Sequence, residues 1–412
     1  MKFGTVLFKY ASRSLTRHTR RTAISMTGVG VGCAMALIAL SWMNGAFEMQ
    51  VRAVAESGSG HLMIVHRDWP AMRENTLRLT DWEETLAAIR TTPGVRACTA
   101  RARANGLLAF GNRSSGVQVM ALLPEHESEV NRVVSRSRIE GRYLNEEDPG
   151  AVVIGKGLAK RLNVELDDDL YVTLPGTDDI HSAMLRIVGV LDTGSQDLDL
   201  TICHMTLANL ESITGIPGAG EITMLLKDHN DINTVKERLE TKMPGNNLVI
   251  TWKTVLPALA SGMQGDKALM RLLTAIVITV VALGIMSAQL TAVLERRAEF
   301  AILSALGMKS GQITRIILVE SLIIGLGGAL IALLVGGSAA WYLASTGINL
   351  LYFNADALGP SNILLDPRIY GSFGPWLIGY AAAISITATV AASLYPAWKA
   401  AQIDPADALR TQ

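Results

Sequence analysis

Four apolar runs in the chain are each long enough to cross a membrane. They are Thr22 to Phe47, Leu272 to Leu294, Ile316 to Leu343 and Phe373 to Tyr395. A helix needs roughly 20 residues to cross a hydrocarbon core of about 30 Å. The runs contain a single charged residue, Glu320, near enough to one end for us to expect its carboxylate to reach the headgroups. The mean hydropathy of +0.29 reflects these runs beside an ordinary soluble stretch. We therefore predict four transmembrane helices, over residues 22–47, 269–294, 313–344 and 373–395.

The first run is predicted to be a retained anchor. It is longer than the 7 to 15 apolar residues typical of a cleaved signal peptide, and no clear cleavage site follows it. Cys33 suggests a lipoprotein signal, but Gly30 stands where leucine is expected and the apolar run continues past the cysteine.

Basic flanks predict the orientation. By the positive-inside rule, cytoplasmic segments carry an excess of lysine and arginine. Residues 1–21 contain basic residues and no acidic ones, the link 295–312 is also basic, and the tail 396–412 carries Lys399 and Arg410. We expect these three segments in the cytoplasm, and residues 48–268 with the shorter loop 345–372 on the periplasmic side.

The segment 48–268 mixes helical and strand patterns. It therefore predicts an α+β domain, large enough for two lobes. The middle, from Ala151 to Gly194, is the expected β-rich lobe, and residues 55–110 and 220–255 the second. Predicted strands are His61–Val65, Gly116–Ala121, Ala151–Ile154, Leu170–Leu174, Met184–Val190, Glu221–Leu226 and Leu248–Ile250. Predicted helices are Asp81–Thr91, with Asp81 as N-cap, Gly157–Leu162 and Ile232–Lys242.

This domain shows no pattern of a catalytic or metal site. Its histidines are scattered, and Cys203 next to His204 would point to opposite faces of a strand. The run from Asp167 to Asp169 lacks the spacing of a calcium loop and is typical of a solvated turn. A disulfide between Cys98 and Cys203 stays open, although unpaired cysteines are the preferred interpretation.

The net charge and the lack of a nucleotide-binding motif argue against two further functions, nucleic-acid binding and ATP binding by this chain. A formal net charge of +0 argues against nucleic-acid binding, which needs a basic surface. The chain has no P-loop motif G-x-x-x-x-G-K-[ST]. If ATP drives this protein, another chain binds it, so we expect no cofactor here and place ATP and Mg²⁺ on a partner.

The segment from Glu295 to Met308 predicts a short amphipathic helix. Ala298, Ile302, Ala305 and Leu306 follow helical spacing, and Gly307 offers a C-terminal stop. The alternative is a snorkelling helix end that caps the span. The N-terminal segment, with Phe3, Leu7 and Tyr10 on one face, predicts an interfacial helix over residues 1–21.

Several motifs occur in a fixed order along the chain. They are Arg13-Ser14-Leu15, Arg20-Arg21-Thr22, Ser41 to Gly45, Val153 to Ala159, Ile187 to Val190, Thr193-Gly194, Asp199, Thr251-Trp252, Glu295-Arg296-Arg297 with Glu299, Ala305-Leu306-Gly307 and Pro405 to Arg410. Together they resemble the permease subunits of the FtsX and MacB class of ABC transporters, and within that class the lipoprotein-releasing permeases LolC and LolE. The chain departs from the family at Asn163 and Asp167, where glycine is usual, and in a longer loop 345–372.

The resemblance implies a mechanism with little or no transport through a central channel. Two permease subunits, identical or paralogous, would pair above an ABC ATPase dimer and move their outer domains when ATP binds. A lipoprotein or other amphipathic cargo would enter from the membrane lipid and pass to a periplasmic carrier. The resemblance assigns ATPase docking to a coupling helix with Glu295, Arg296, Arg297, Glu299, Ile302, Ala305, Leu306 and Gly307. It assigns a cargo groove to Trp42, Met43 and Asn44.

Three functions follow from the resemblance. The first is lipoprotein release from the inner membrane, the second is efflux of the MacB kind with an outer-membrane duct, and the third is FtsX-like signalling to an extracytoplasmic partner. None makes this chain an enzyme. The sequence leaves the cargo and the partner permease open.

Overall fold

The computed structural model describes residues 13, 16, 17, 19–177, 179–241, 245–349, 366 and 368–402. Most of the predicted N-terminal interfacial helix, most of the loop 345–372 and the tail beyond residue 402 therefore lie outside the described residues. The chain divides into two compact units. The helical unit comprises Met1–Phe47, Met263–Leu350 and Arg368–Gln412, and the sheet unit comprises Glu48–Gly262 and Leu351–Pro367.

The helices are numbered in chain order. They are α1 Thr19–Glu56, α2 Trp69–Met72, α3 Trp82–Arg90, α4 Pro124–Val130, α5 Arg132–Arg136, α6 Lys156–Leu162, α7 Gln196–Asp199, α8 Leu207–Thr214, α9 Ile232–Glu240, α10 Trp252–Val255, α11 Pro257–Glu295, α12 Arg297–Ala305, α13 Ser310–Ala332, α14 Ser338–Thr346 and α15 Trp376–Ala401. A 3₁₀ turn lies at His229–Asp231, and a π-helical stretch, Leu333–Gly337, joins α13 to α14.

The strands are likewise numbered in chain order. They are β1 Leu62–His66, β2 Val95–Phe110, β3 Arg113–Leu122, β4 Arg138–Gly141, β5 Ala151–Gly155, β6 Asp169–Pro175, β7 Ile180–Asp192, β8 Cys203–Thr206, β9 Glu221–Leu226, β10 Asn247–Thr251, β11 Ile348–Asn349 and β12 Arg368–Ile369.

The helical unit carries the apolar runs on long helices. Among the described residues, four helices are long and apolar enough to cross a membrane: α1, α11, α15 and the continuous helix Ser310–Thr346. Each helix extends beyond one or both ends of the apolar run that predicted it, because the helical conformation continues into the flanking polar residues. The expectation for Glu320 is wrong: its side chain is buried and pairs with Arg296.

The sheet unit is built on one ten-stranded sheet with the order β10-β1-β9-β2-β3-β8-β5-β7-β4, and β6 pairs with β2 and β7. β8 runs parallel to β3 and β5 parallel to β7, whereas the other pairs are antiparallel. Two large apolar clusters lie along it. One draws mainly on residues 62–100 and 219–249, and the other on residues 102–121 and 152–210. Because the sheet is continuous through β2, the division into two lobes stays a prediction.

One detail of the sheet unit, at Asp81, differs from the sequence interpretation, whereas the preferred interpretation of the cysteines is confirmed. Asp81 does occupy the N-cap of α3, but its backbone is left-handed (φ 48°) and its side chain makes no capping hydrogen bond. Cys98 and Cys203 are both free and buried, and they belong to different apolar clusters. Burial raises the pKa of Cys203 to about 12, so its thiol is unreactive.

Candidate functional site

Helix α12 has one buried face and one exposed face. Phe300 is buried in an apolar cluster with side chains of α11, α13 and α15, and Ala301 is also buried. On the opposite face Ile302 is 50% exposed and Leu306, just after the helix, 80% exposed. Ala305 is also exposed. An exposed apolar patch on a short, firmly held helix is typical of a protein-docking surface. We call Ile302, Ala305 and Leu306 the α12 patch.

A tight turn holds the end of α12. Gly307 has φ 90°, a left-handed conformation that glycine adopts without strain. The Met308 N–H donates to Leu303 O at 3.1 Å, and the Gly307 N–H donates to Ser304 O at 3.0 Å. This is the Schellman pattern, which satisfies the last carbonyls of a helix. The predicted coupling segment 295–312 therefore contains the last residue of α11, the short helix α12 and, after the turn at Gly307, the start of α13 at Ser310.

Arg296 anchors the beginning of α12. Its Nε donates to Glu299 Oε2 at 3.0 Å, and its Nη1 donates to Glu320 Oε1 at 3.1 Å. Its guanidinium carbon lies 5.0 Å from the centre of the Phe300 ring. The Arg296 and Glu320 side chains are 11% and 8% exposed, so water screens this pair little. The pair of Arg296 and Glu320 thus fixes the beginning of α12 to α13.

The predicted coupling residues fall into two groups. Arg296 and Gly307 hold the helix in place, as does Glu299 through its contact with Arg296. The exposed Arg297 and the α12 patch face outward. Glu295 is the last residue of α11 and lies outside α12. Sequence reasoning missed Phe300 as the buried anchor, although an aromatic side chain in this short amphipathic segment was the available signal.

The motif from Ser41 to Gly45 packs against the segment after β12. Ser41 Oγ donates to Ser372 O at 2.9 Å, and the Ser372 N–H donates to Ser41 O at 2.9 Å. A Cβ on Gly45 would lie 1.9 Å from Tyr370 O, so only glycine fits there. The intervening Trp42, Met43 and Asn44, predicted to line a cargo groove, are each partly exposed. The ends of this motif are therefore structural.

The family motifs of the sheet unit meet at one point. A Cβ on Gly155 would lie 2.2 Å from Asp199 O. Thr193 donates to Asp199 Oδ1 through its N–H at 3.0 Å and its hydroxyl at 2.7 Å. These residues join β5, β7 and α7, so the motif maintains the fold. Trp252, another motif residue, is a buried core side chain at 2% exposure.

A buried polar group in the sheet unit escaped sequence reasoning. Arg101 donates from Nε and Nη2 to Glu127 at 2.9 and 2.6 Å and also to Gly58 O, and both side chains are 0% exposed. Asn131 Nδ2 donates to Glu127 Oε1 at 2.8 Å. Burial opposes the charge on Arg101, but the carboxylate of Glu127 raises its pKa. The group ties β2 to α4 and to the chain just after α1.

A second buried pair lies near this group. His204 Nδ1 lies 3.0 Å from the Tyr143 hydroxyl, and burial lowers the pKa of His204 to about 4. His204 also borders a cavity of about 560 Å³ whose other walls include Arg103 and Gln118. Within the described part of the chain, no cluster of three or more histidine, cysteine or carboxylate side chains could hold a metal ion.

Comparison with known proteins places these features in a family. The model described as the MacB-like periplasmic core domain matches residues 22–242, and that described as the FtsX-like permease C-terminal region matches residues 271–405. The first match alone spans more than half of the chain.

Relatives of known name match along most of the chain. The lipoprotein-releasing system transmembrane protein LolC of Xylella fastidiosa (strain Temecula1) is 24% identical, over 94% of this chain and 92% of its own. LolC of Neisseria meningitidis serogroup B is 24% identical, over 94% of each chain. The macrolide export ATP-binding/permease protein MacB of Bdellovibrio bacteriovorus is 24% identical, over 97% of this chain but only 60% of its own.

Proposed function

The chain belongs to the ABC-type permeases that combine a MacB-like periplasmic core domain with an FtsX-like C-terminal region, and we propose that it releases lipoproteins from the inner membrane. It is a multi-pass membrane protein of the LolC, LolE and MacB type. The observation that favours release is the match to LolC over nearly the full length of both chains. The energy would come from ATP and Mg²⁺ on a separate ABC ATPase dimer.

The α12 patch supports docking of that ATPase. Its three exposed apolar residues lie on or just after a short helix whose beginning is paired with α13, so they form a firmly held contact surface. When the ATPases close, a rigid docking helix passes the displacement to α13 and α11 instead of absorbing it. A second permease subunit, the same chain or a paralogue, would complete the pair.

In the proposed orientation both termini are cytoplasmic and the sheet unit is periplasmic. The described basic residues at the start of α1, around α12 and at the end of α15 support it, since lysine and arginine accumulate on the cytoplasmic side. Aromatic residues flank α15, with Phe373 and Trp376 at its start and Tyr395 and Trp398 near its end, all exposed. Such aromatic belts mark the two membrane interfaces.

The sheet unit offers a surface for cargo or carrier. Leu107, Tyr171, Ile180 and Met184 are all more than 40% exposed and lie on the uncovered face of neighbouring strands. A contiguous exposed apolar patch of this kind is typical of a protein-interaction site, whereas single exposed apolar residues are not. Under this proposal the patch meets a periplasmic carrier, and Trp42, Met43 and Asn44 remain the proposed cargo groove.

Reconstitution tests the proposal. The permease, its paired subunit and the ATPase are placed in liposomes with an acylated lipoprotein and a soluble periplasmic carrier. We expect lipoprotein to leave the membrane only when ATP is present. ATP hydrolysis without any release, with every subunit assembled, would overturn it.

The second candidate is efflux of the MacB kind, because MacB of Bdellovibrio bacteriovorus matches 97% of this chain at 24% identity. The two candidates differ in their partners. Efflux requires an adaptor and an outer-membrane duct to co-purify with the native complex, whereas release requires a soluble carrier.

A further inference from the structure

A cleft of about 550 Å³ opens in the helical unit between the beginning of α1 and the last turns of α11. Its polar lining residues are Arg17, Thr19, Arg20, Ser25 and Thr291, and its apolar lining residues are Ile24 and Ala288. Residues 17, 20 and 24 are spaced by three and four, so they project from one side of a helix. The cleft therefore has a basic rim and an apolar floor.

The two arginines of the rim are free to bind an anion. Both side chains are exposed, and neither forms an ion pair with any residue that the structure describes. Arg296, by contrast, contacts two carboxylates. The first 21 residues contain no aspartate or glutamate that could neutralise this charge. The hydroxyls of Thr19 and Ser25 likewise have no hydrogen-bond partner among the described residues.

The two helices beside the cleft have largely uncovered surfaces. Ile24 is 65% exposed, and on α11 Leu283 and Leu294 are each 54% exposed. Only 6% of the most apolar stretch of α11 is buried, against 50% for the helix Ser310–Thr346. In a bilayer such a surface is covered by acyl chains or by another helix.

We propose that this cleft binds an anionic phospholipid. Its phosphate would lie between Arg17 and Arg20, since guanidinium groups bind phosphate oxygens in pairs. The hydroxyls of Thr19 and Ser25 would meet the glycerol region, and one acyl chain would cover Ile24 and the adjacent α11 surface. The lipid would thereby link the ends of two spans.

The general attraction of a basic flank to the membrane surface does not account for this arrangement. That effect depends on the total charge of a flank, so any arginine of the segment would contribute equally. A lipid site depends on the two arginines of the rim. Arg13 is exposed on the same flank but does not line the cleft, so it provides the matched control.

Native mass spectrometry of the full-length protein in mild detergent tests the site. The probes are phosphatidylglycerol, cardiolipin and neutral phosphatidylcholine. We expect retention of the two anionic lipids to fall roughly tenfold in the double variant Arg17→Gln/Arg20→Gln, because two charge-assisted hydrogen bonds are lost. Arg13→Gln should retain them as the unchanged protein does, and Arg17→Lys/Arg20→Lys should keep part of the binding.

Three results would overturn the proposal: equal retention of neutral and anionic lipid, equal loss in Arg13→Gln, or displacement of the lipid by millimolar inorganic phosphate, which would indicate a simple anion site. If the double variant does not fold, each single variant carries the same comparison, with a smaller expected loss. The site requires a membrane-spanning helix pair but not lipoprotein transport. Failure of the release experiment would therefore leave this result standing, and the reverse also holds.

Discussion

Arg296 Nη1 lies 3.1 Å from Glu320 Oε1, so the residue that precedes α12 pairs with a carboxylate inside α13. Because both side chains are nearly buried, removing Glu320 leaves Arg296 with only the half-exposed Glu299 as a partner. The pair is thus a positional constraint on α12, and Glu320 acts as a positioning residue for the α12 patch.

Glu320→Gln should loosen α12. We expect its backbone amides to exchange hydrogen about tenfold faster or more in the full-length protein, since loss of a buried partner costs roughly 3–5 kcal/mol. Glu299→Gln removes the other Arg296 contact, and because Glu299 is 50% exposed its effect should be small. Equal exchange rates in the two variants would show that the inner pair does not hold the helix.

The α12 patch should bind the ATPase. Leu306→Glu places a charge in an apolar contact, and Ala305→Arg adds both bulk and charge, so each should reduce ATPase co-purification about tenfold or more. Leu306→Met keeps an apolar side chain of similar volume and is the control. Normal ATPase binding and hydrolysis in both disruptive variants would show that docking occurs elsewhere.

The sequence predicted the elements whose signal is local. Apolar run length identified α1, α11, the helix Ser310–Thr346 and α15, and helical spacing identified the α12 patch. β2 was missed, although it is the longest strand at 16 residues. Asn105-Gly106 in its middle is typical of a turn, and Arg101 and Arg103 are unusual in a strand. Arg101 can be buried in this strand because Glu127 pairs with it. Such pairs depend on tertiary distance, which no local pattern encodes.

The backbone conformation at Asn163 and Asp167 explains why glycine is usual at these two positions in the family. Both have left-handed backbones, with φ 58° and 68°. Asparagine and aspartate tolerate this region better than other non-glycine residues, but glycine adopts it without a steric cost.

Asn163→Gly should therefore stabilise the protein by up to about 1 kcal/mol, and Asn163→Val should destabilise it by about 1 kcal/mol or more. Chemical unfolding monitored by tryptophan fluorescence measures both. Asn145, whose φ is not positive, is the control: Asn145→Gly should lower stability. A stabilising effect at position 145 as large as that at 163 would contradict the conformational explanation.

The pair of Arg101 and Glu127 should be essential for the sheet unit. Glu127→Gln keeps the shape of the side chain but leaves the buried guanidinium without its countercharge, so we expect a loss of about 3–5 kcal/mol in the free energy of unfolding. The exposed Glu125, on the same helix, provides the control variant Glu125→Gln, which should change stability by less than about 0.5 kcal/mol. The double variant Arg101→Met/Glu127→Leu should recover part of the loss, because it removes both charges.

The buried histidines should make stability fall in mild acid. Burial lowers the pKa of His204 to about 4, and burial, followed by the nearby His229, lowers that of His61 to about 4. Their ordinary value is 6.5, so between these values the unfolded chain binds more protons than the folded one. Stability from each histidine is therefore complete above about pH 6.5 and is lost as the pH falls toward 4.

Each histidine should account for about 2 kcal/mol of the stability lost between pH 7 and pH 5. His204→Gln removes one titrating group while keeping a side chain that can bond the Tyr143 hydroxyl, so the dependence on pH should become shallower even if stability at pH 7 also drops. Unfolding curves at the two pH values measure this slope. His181→Gln, at an exposed position, should leave the slope unchanged. A full slope in His204→Gln would mean that another group titrates, because the buried imidazole would then carry no share of the proton uptake.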